Sequence, residues 1–273
     1  MKSLPHCSLL VVAVGVLAAV GSTTESACAH DNDPALPGWR LVWHDEFDGD
    51  TLDLTKWTPL DREKSFNDEK QYYRPDRVTV SDGELRLTAV DEPYGSKEYQ
   101  SGIVTSKRLF GHGRFEARIV LPTTQGMWPA FWLNANHVQW PQGGEIDIME
   151  NRGDQPRRTS AAYHWQKDPG PCCEDHQFVF RSYHDAADGK PVDFSAGFHT
   201  YAAEWDEESI RFFVDGNQFF HVTPTEDRPI IATEKNLIIN LAVGGKFGGD
   251  PDETTVFPQT IRIDYVRHWV RDE

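Results

Sequence analysis

An all-β chain, folded as a jelly-roll β-sandwich of two antiparallel sheets, is what three features of this 273-residue sequence predict. Short alternating segments recur along it, turn dipeptides separate several of them, and no stretch carries the periodicity of a four-turn amphipathic helix. Strands without crossover helices pair antiparallel, and this many of them must stack as two sheets to bury their apolar sides.

The first segment, 1–29, reads as an export signal to be set aside before the fold is considered. Lys2 gives a basic start, Leu9–Val20 is an apolar run, and Ala27-Cys28-Ala29 supplies the small residues of a cleavage site, which puts the mature start near His30. The apolar run is shorter than the ~20 residues that span a bilayer. Glu25 stands where a lipoprotein signal needs an aliphatic residue, so the expectation is a secreted or periplasmic protein with no membrane anchor. Residues 30–273 contain no linker, repeat or low-complexity stretch, and one catalytic domain is expected there.

Within that domain, Arg77–Ser81 and Glu84–Thr88 alternate on either side of Asp82-Gly83, and Ser209–Val214 and Asn217–Val222 flank Asp215-Gly216. Both are hairpin patterns, because Asp-Gly accepts the positive φ of a two-residue turn. Further strands are expected at Gly113–Leu121, Ala161–Trp165, Thr200–Trp205, Leu237–Val243 and Thr260–Val270.

Forty-three acidic against 27 basic residues give a net charge of -16, and loss of the leader leaves it unchanged because Lys2 and Glu25 cancel. Such a surface repels nucleic acid, anionic membranes and sulfated polysaccharides, and suits a neutral polymer. Of four cysteines, Cys7 and Cys28 leave with the leader. Cys172 and Cys173 are neighbours, which allows only a vicinal disulfide and makes a poor zinc site.

The chemistry concentrates in Gly143-Gly-Glu145-Ile-Asp147-Ile-Met-Glu150-Asn151. Glu145 and Asp147 are two apart and share a strand face, while Ile146 and Ile148 point into a core. Glu150, five from Glu145, falls on the wrong face of a regular strand. A β-bulge at Ile148-Met149 returns it to the acidic face, so the spacing predicts a bulge together with a site. Paired carboxylates of this kind suit glycosidic bond cleavage, where one attacks the anomeric carbon and the other, protonated, donates to the leaving oxygen. The charge of Asp147 between them raises the pKa of its neighbours. A merely solvated acidic strand and a calcium site are the competing readings. Trp128, Trp132 and Trp140, immediately upstream, tip the balance toward sugar, since aromatic rings meet pyranose faces with large rigid contacts. One of Trp128 and Trp132 is expected in the core, and Trp140, between Pro141 and a glycine pair, in a cleft.

Glu145-Ile-Asp147-Ile-Met-Glu150 resembles the Glu-x-Asp-x-x-Glu signature of glycoside hydrolase family 16, in the bulged form of its bacterial laminarinases (endo-β-1,3-glucanases). Trp43-His-Asp-Glu-Phe47, Asn67-Asp-Glu-Lys-Gln71, Gly113–Arg118, Trp128–Trp132, Phe198–Trp205, Asn240–Gly245, Phe257-Pro-Gln-Thr and Asp264-Tyr-Val-Arg extend the likeness in the same order over nearly the whole mature chain. The resemblance implies a concave sandwich with the acidic strand on the floor of an open cleft, and endo-acting, retaining hydrolysis of β-1,3-glucan. By position, Glu145 is then the nucleophile, Glu150 the acid/base and Asp147 the residue that tunes them. Asn67, Trp128, Trp132 and Trp140 fall at sugar-contacting positions, and His164 is expected beside Glu150. Glu46, Gly83 and Asp264 match places where family members hold a structural calcium, while the chemistry needs no cofactor. The expected partner is a polysaccharide, met by a monomer. The segment from Trp165 to Phe180 departs from the laminarinase pattern and leaves substrate preference open. Mixed-linkage glucan or galactan hydrolysis, transglycosylation and non-catalytic glucan recognition are the alternatives.

Overall fold

The computed structural model describes residues 36–272 except 168, 169, 172 and 185–188, so the expected leader and Cys172 lie outside the described residues. Cys173 is disulfide-bonded. Among the described residues the chain forms seventeen strands, one short α-helix and a single 3-10 turn at Pro75–Arg77. They are β1 (Trp39–Asp45), β2 (Trp57–Pro59), β3 (Gln71–Tyr73), β4 (Val78–Ser81), β5 (Glu84–Ala89), β6 (Tyr99–Ser101), β7 (Ile103–Ser106), β8 (Gly113–Val120), β9 (Met127–Asn134) and β10 (Glu145–Asn151). There follow β11 (Thr159–Gln166), β12 (His176–Tyr183), β13 (His199–Trp205), β14 (Ile210–Val214), β15 (Asn217–Val222), β16 (Asn236–Val243), helix α1 (Gly245–Gly248) and β17 (Gln259–Arg271).

One sheet runs β15-β14-β13-β8-β17-β5-β4, with β1 also paired to β17, and the other runs β12-β11-β10-β9-β16-β7-β2. Every pairing in these two sheets is antiparallel; β3 and β6 form a small parallel pair apart from them. The jelly-roll sandwich expected from the alternation is the fold found. Both hairpins turn as their dipeptides require, with positive φ at Asp82, Gly83, Asp215 and Gly216.

Period-two burial holds the layers together. Leu85, Leu87, Phe115, Ile119, Tyr201 and Phe212 from the first sheet meet Phe131, Leu133, Ile146, Ile148, Tyr163 and Ile239 from the second in one continuous core. Each fully buried side chain of this size contributes roughly 1.5–3 kcal/mol. Since odd positions of β11 and β16 and, on β10, Ile146 and Ile148 face this core, their alternates stand on the outer face of the second sheet. That face carries the site.

The hairpin strands and the five alternating runs appear within two residues of their expected ends. The long edge strand β12, by contrast, begins in the segment that sequence reading set aside as a departure, although His176-Gln-Phe-Val-Phe-Arg-Ser-Tyr shows some alternation.

Candidate active site

β10 is an interior strand between β9 and β11. Its register slips on both sides: Asp147 faces Ala162 and Glu150 faces Ser160 on β11, while Asp147, Met149 and Glu150 face Trp132, Phe131 and Ala130 on β9. Three steps along β10 therefore match two along each neighbour, which is the bulge that the carboxylate spacing demands. Ile148 and Met149 take up the extra residue and are both buried in the core. Glu145, Asp147 and Glu150 consequently share the outer face.

Each glutamate receives an indole N–H. Trp140 Nε1 donates to Glu145 Oε2 at 3.0 Å, and Trp128 Nε1 donates to Glu150 Oε1 at 2.9 Å. Trp140 is brought back over β10 by the tight turn at Gly143, where a Cβ would lie 2.4 Å from that of Ala135. Trp132 donates to Asn240 Oδ1 at 2.8 Å, and Asn240 in turn to the Tyr73 hydroxyl. Trp128 and Trp132 are both half-buried on the outer face, which corrects the expectation that one of them belongs to the core: positions 128 and 132 have the parity of the face away from the first sheet. Asn67 sits in an exposed loop with left-handed backbone, and its carbonyl accepts from the Lys246 N–H beside α1.

His164 pairs with Glu145 across β10 and β11, but its Nε2 lies 3.0 Å from Asp147 Oδ2 and 4.0 Å from Glu145 Oε1. The expectation that it stands beside Glu150 is thereby corrected: the register puts it at the opposite end of the trio. Its Nδ1 lies 2.8 Å from His176 Nε2, and the two imidazoles are stacked 5.0 Å apart. His176 also packs on Trp140 at 4.5 Å. Sequence reading missed His176, whose only signal was its place in the alternation of β12.

Burial raises the pKa of all three carboxylates. Glu145 is pushed well above the usual range by desolvation and then by the charge of Asp147, with His164 and the Trp140 hydrogen bond opposing. Asp147 is raised by desolvation. Glu150 is raised to about 8 by desolvation and the charge of Asp147, against the Trp128 hydrogen bond. Three buried acids in one row cannot all be charged, so the trio holds protons in common near neutral pH. Glu145, Asp147 and His164 also offer ligand atoms within 4.8 Å of one another, a set a cation could use. The indole and imidazole donors already engage both acids of that set, so hydrogen bonds, with no ion, suffice to hold it.

Beside Glu150 a recess of about 140 Å³ is lined by Arg152, Arg158, Phe180, Ser182 and Phe247. Phe247 packs against Trp128 at 5.1 Å.

The candidate calcium residues are otherwise occupied. Both oxygens of Glu46 accept from Arg267, at 2.8 and 2.6 Å, and Asp264 Oδ2 accepts from Arg118 at 2.6 Å. Gly83 is the second residue of the β4–β5 turn. Carboxylates already neutralised by guanidinium are weakened as donors for a divalent cation.

The family model described as "Beta-porphyranase A-D, GH16 domain" matches residues 39–271. Among curated proteins, the chain is 33% identical to glucan endo-1,3-beta-glucosidase A1 of Niallia circulans, covering 86% of this chain and 38% of that one. It is also 33% identical to a glucan endo-1,3-beta-glucosidase of Cryptopygus antarcticus, covering 85% and 92%. Among solved structures, the catalytic domain of an endo-1,3-beta-glucanase (laminarinase) from Thermotoga petrophila RKU-1 superposes with a TM-score of 0.77 at 34% identity, covering 86% of this chain and 99% of that one.

Proposed function

Because the chain belongs to glycoside hydrolase family 16, we propose that it is an endo-acting β-1,3-glucan hydrolase that works by double displacement on two glutamates. The observation that carries this reading is the bulged β10, which gathers Glu145, Asp147 and Glu150 on the outer face with an indole donor on each glutamate.

Glu145 attacks the anomeric carbon while Glu150, protonated at its raised pKa, gives its proton to the departing oxygen. Glu150 then takes a proton from water as that water displaces Glu145, which restores both groups and retains the anomeric configuration. Asp147 keeps Glu150 protonated through its charge and is held in place by His164. Asn67, Trp128, Trp132 and Trp140 contact the sugars. No cofactor takes part, and the arginine pairing of Glu46 and Asp264 gives a structural calcium no support. We further read residues 1–29 as a leader, 30–273 as the catalytic domain, and the working form as an exported monomer; N-terminal sequencing of the secreted protein tests the first of these.

A second reading, galactan hydrolysis, has one observation in its favour, the porphyranase description of the matching family model. The net charge of -16 weighs against the sulfated members of that substrate class. Timed digestion of a β-1,3-glucan, a mixed-linkage β-glucan, agarose and porphyran, with products sized, decides between them. Rapid release of mixed short oligomers from the β-1,3-glucan is expected; cleavage confined to agarose or porphyran would replace the first reading with the second, and binding without cleavage would leave a recognition module.

A further inference from the structure

Three rows cross the outer face of the second sheet: Glu145–His164–Phe178, Asp147–Ala162–Phe180 and Glu150–Ser160–Ser182. They carry the site from β10 across β11 onto the edge strand β12, roughly 10 Å away. There Phe178 and Phe180 are 54% and 58% exposed, which is unusual for large apolar side chains in a paired strand. Their rings continue a series: Trp140 packs on His176 at 4.5 Å, His176 on Phe178 at 5.7 Å and Phe178 on Phe180 at 6.2 Å, the last two pairs with planes within 27°. Among the described residues no hydrophobic partner covers the outer end, yet the inner end touches the carboxylate trio through Trp140 and His164, and Phe180 shares the recess with Glu150.

We propose that His176, Phe178 and Phe180 form an aromatic ladder that binds further uncharged sugar rings of the polysaccharide, beyond those at the cleavage point. The occupant is a glycan because the ladder is continuous with the trio's own face and because Glu150, the proton donor to the leaving group, lines the same recess as Phe180. Flat, rigid rings at the edge of a sheet bind pyranose faces at small entropic cost and without reading charge. β12 thereby adds length to the substrate floor where its sequence leaves the laminarinase pattern. The inference rests on the glycanase reading of the trio.

The test is calorimetric binding of β-1,3-linked glucose hexasaccharide and disaccharide to the full chain carrying Glu145→Gln, with and without Phe178→Ala and Phe180→Ala. The double alanine variant is expected to lose roughly tenfold in the ratio of hexasaccharide to disaccharide affinity, and Phe178→Trp with Phe180→Trp to keep it. An unchanged ratio overturns the ladder, as does a wild-type dimer that Phe180→Ala dissociates with sugar affinity intact, since a second copy would then cover these rings. Wild-type digestion of β-1,3-glucan is scored separately. If the protein cuts agarose and spares the glucan, the glucanase reading fails, and the same affinity ratio measured on agarose oligosaccharides upholds or overturns the ladder.

Discussion

At the scale of the residue, Asp147 exerts the widest influence. It touches His164 directly and raises the pKa of both glutamates by its charge. Removing that charge with Asp147→Asn lowers both, so in the proposed mechanism Glu145 ionises at lower pH and Glu150 also loses its proton at lower pH. Both limbs of the pH–activity profile should therefore move acidward, with a smaller loss of rate than at either glutamate; a profile that stays in place contradicts the role. Glu145→Gln and Glu150→Gln should each lower kcat by roughly 10³-fold or more while circular dichroism remains that of the wild type. The two are separable with an activated aryl glycoside, whose leaving group needs little protonation: it should restore the first step to the Glu150 variant and not to the Glu145 variant.

At the scale of the element, the bulge in β10 converts a five-residue spacing into a shared face, and its parity can be tested by deletion. Without Met149 the second glutamate is four residues from the first and a regular strand still places it outward. Without both Ile148 and Met149 it is three away and points into the core. The single deletion should give a folded enzyme with measurable activity, destabilised by about 2–5 kcal/mol for the lost buried side chain. The double deletion should give no activity and little folded protein, as read by thermal melting. This was the part of the site most legible in the sequence, because alternation and parity are arithmetic on position. The partner of His164 was not, since cross-strand register depends on how the loop between β10 and β11 turns, and no local pattern encodes that. β12 was obscured for a related reason: its outward residues are aromatic and its inward ones mixed, so the burial contrast that marks a strand is weak there.

At the scale of the whole molecule, the acidic trio couples the site to stability. A carboxylate whose pKa is raised on folding binds its proton more tightly in the native state; its contribution is complete below the unfolded value near 4.5 and is lost as pH rises through about 8 for Glu150. The melting temperature should therefore fall between about pH 5 and 8, and Glu150→Gln should flatten that fall; a wild-type slope in the variant would place the pH dependence elsewhere. The charge of -16 has its own signature. Activity on neutral glucan should be indifferent to ionic strength, whereas any binding to a sulfated polymer should strengthen as salt screens the repulsion, which retention on an immobilised sulfated polysaccharide would show. The first sheet has a further property that follows from β17, which fills the gap between β8 on one side and β5 with β1 on the other. The most C-terminal of the described strands is thus an interior one. During synthesis β8 and β5 emerge long before the segment that joins them, so the sandwich must close after translation has delivered it, through contacts distant in sequence and slow to find.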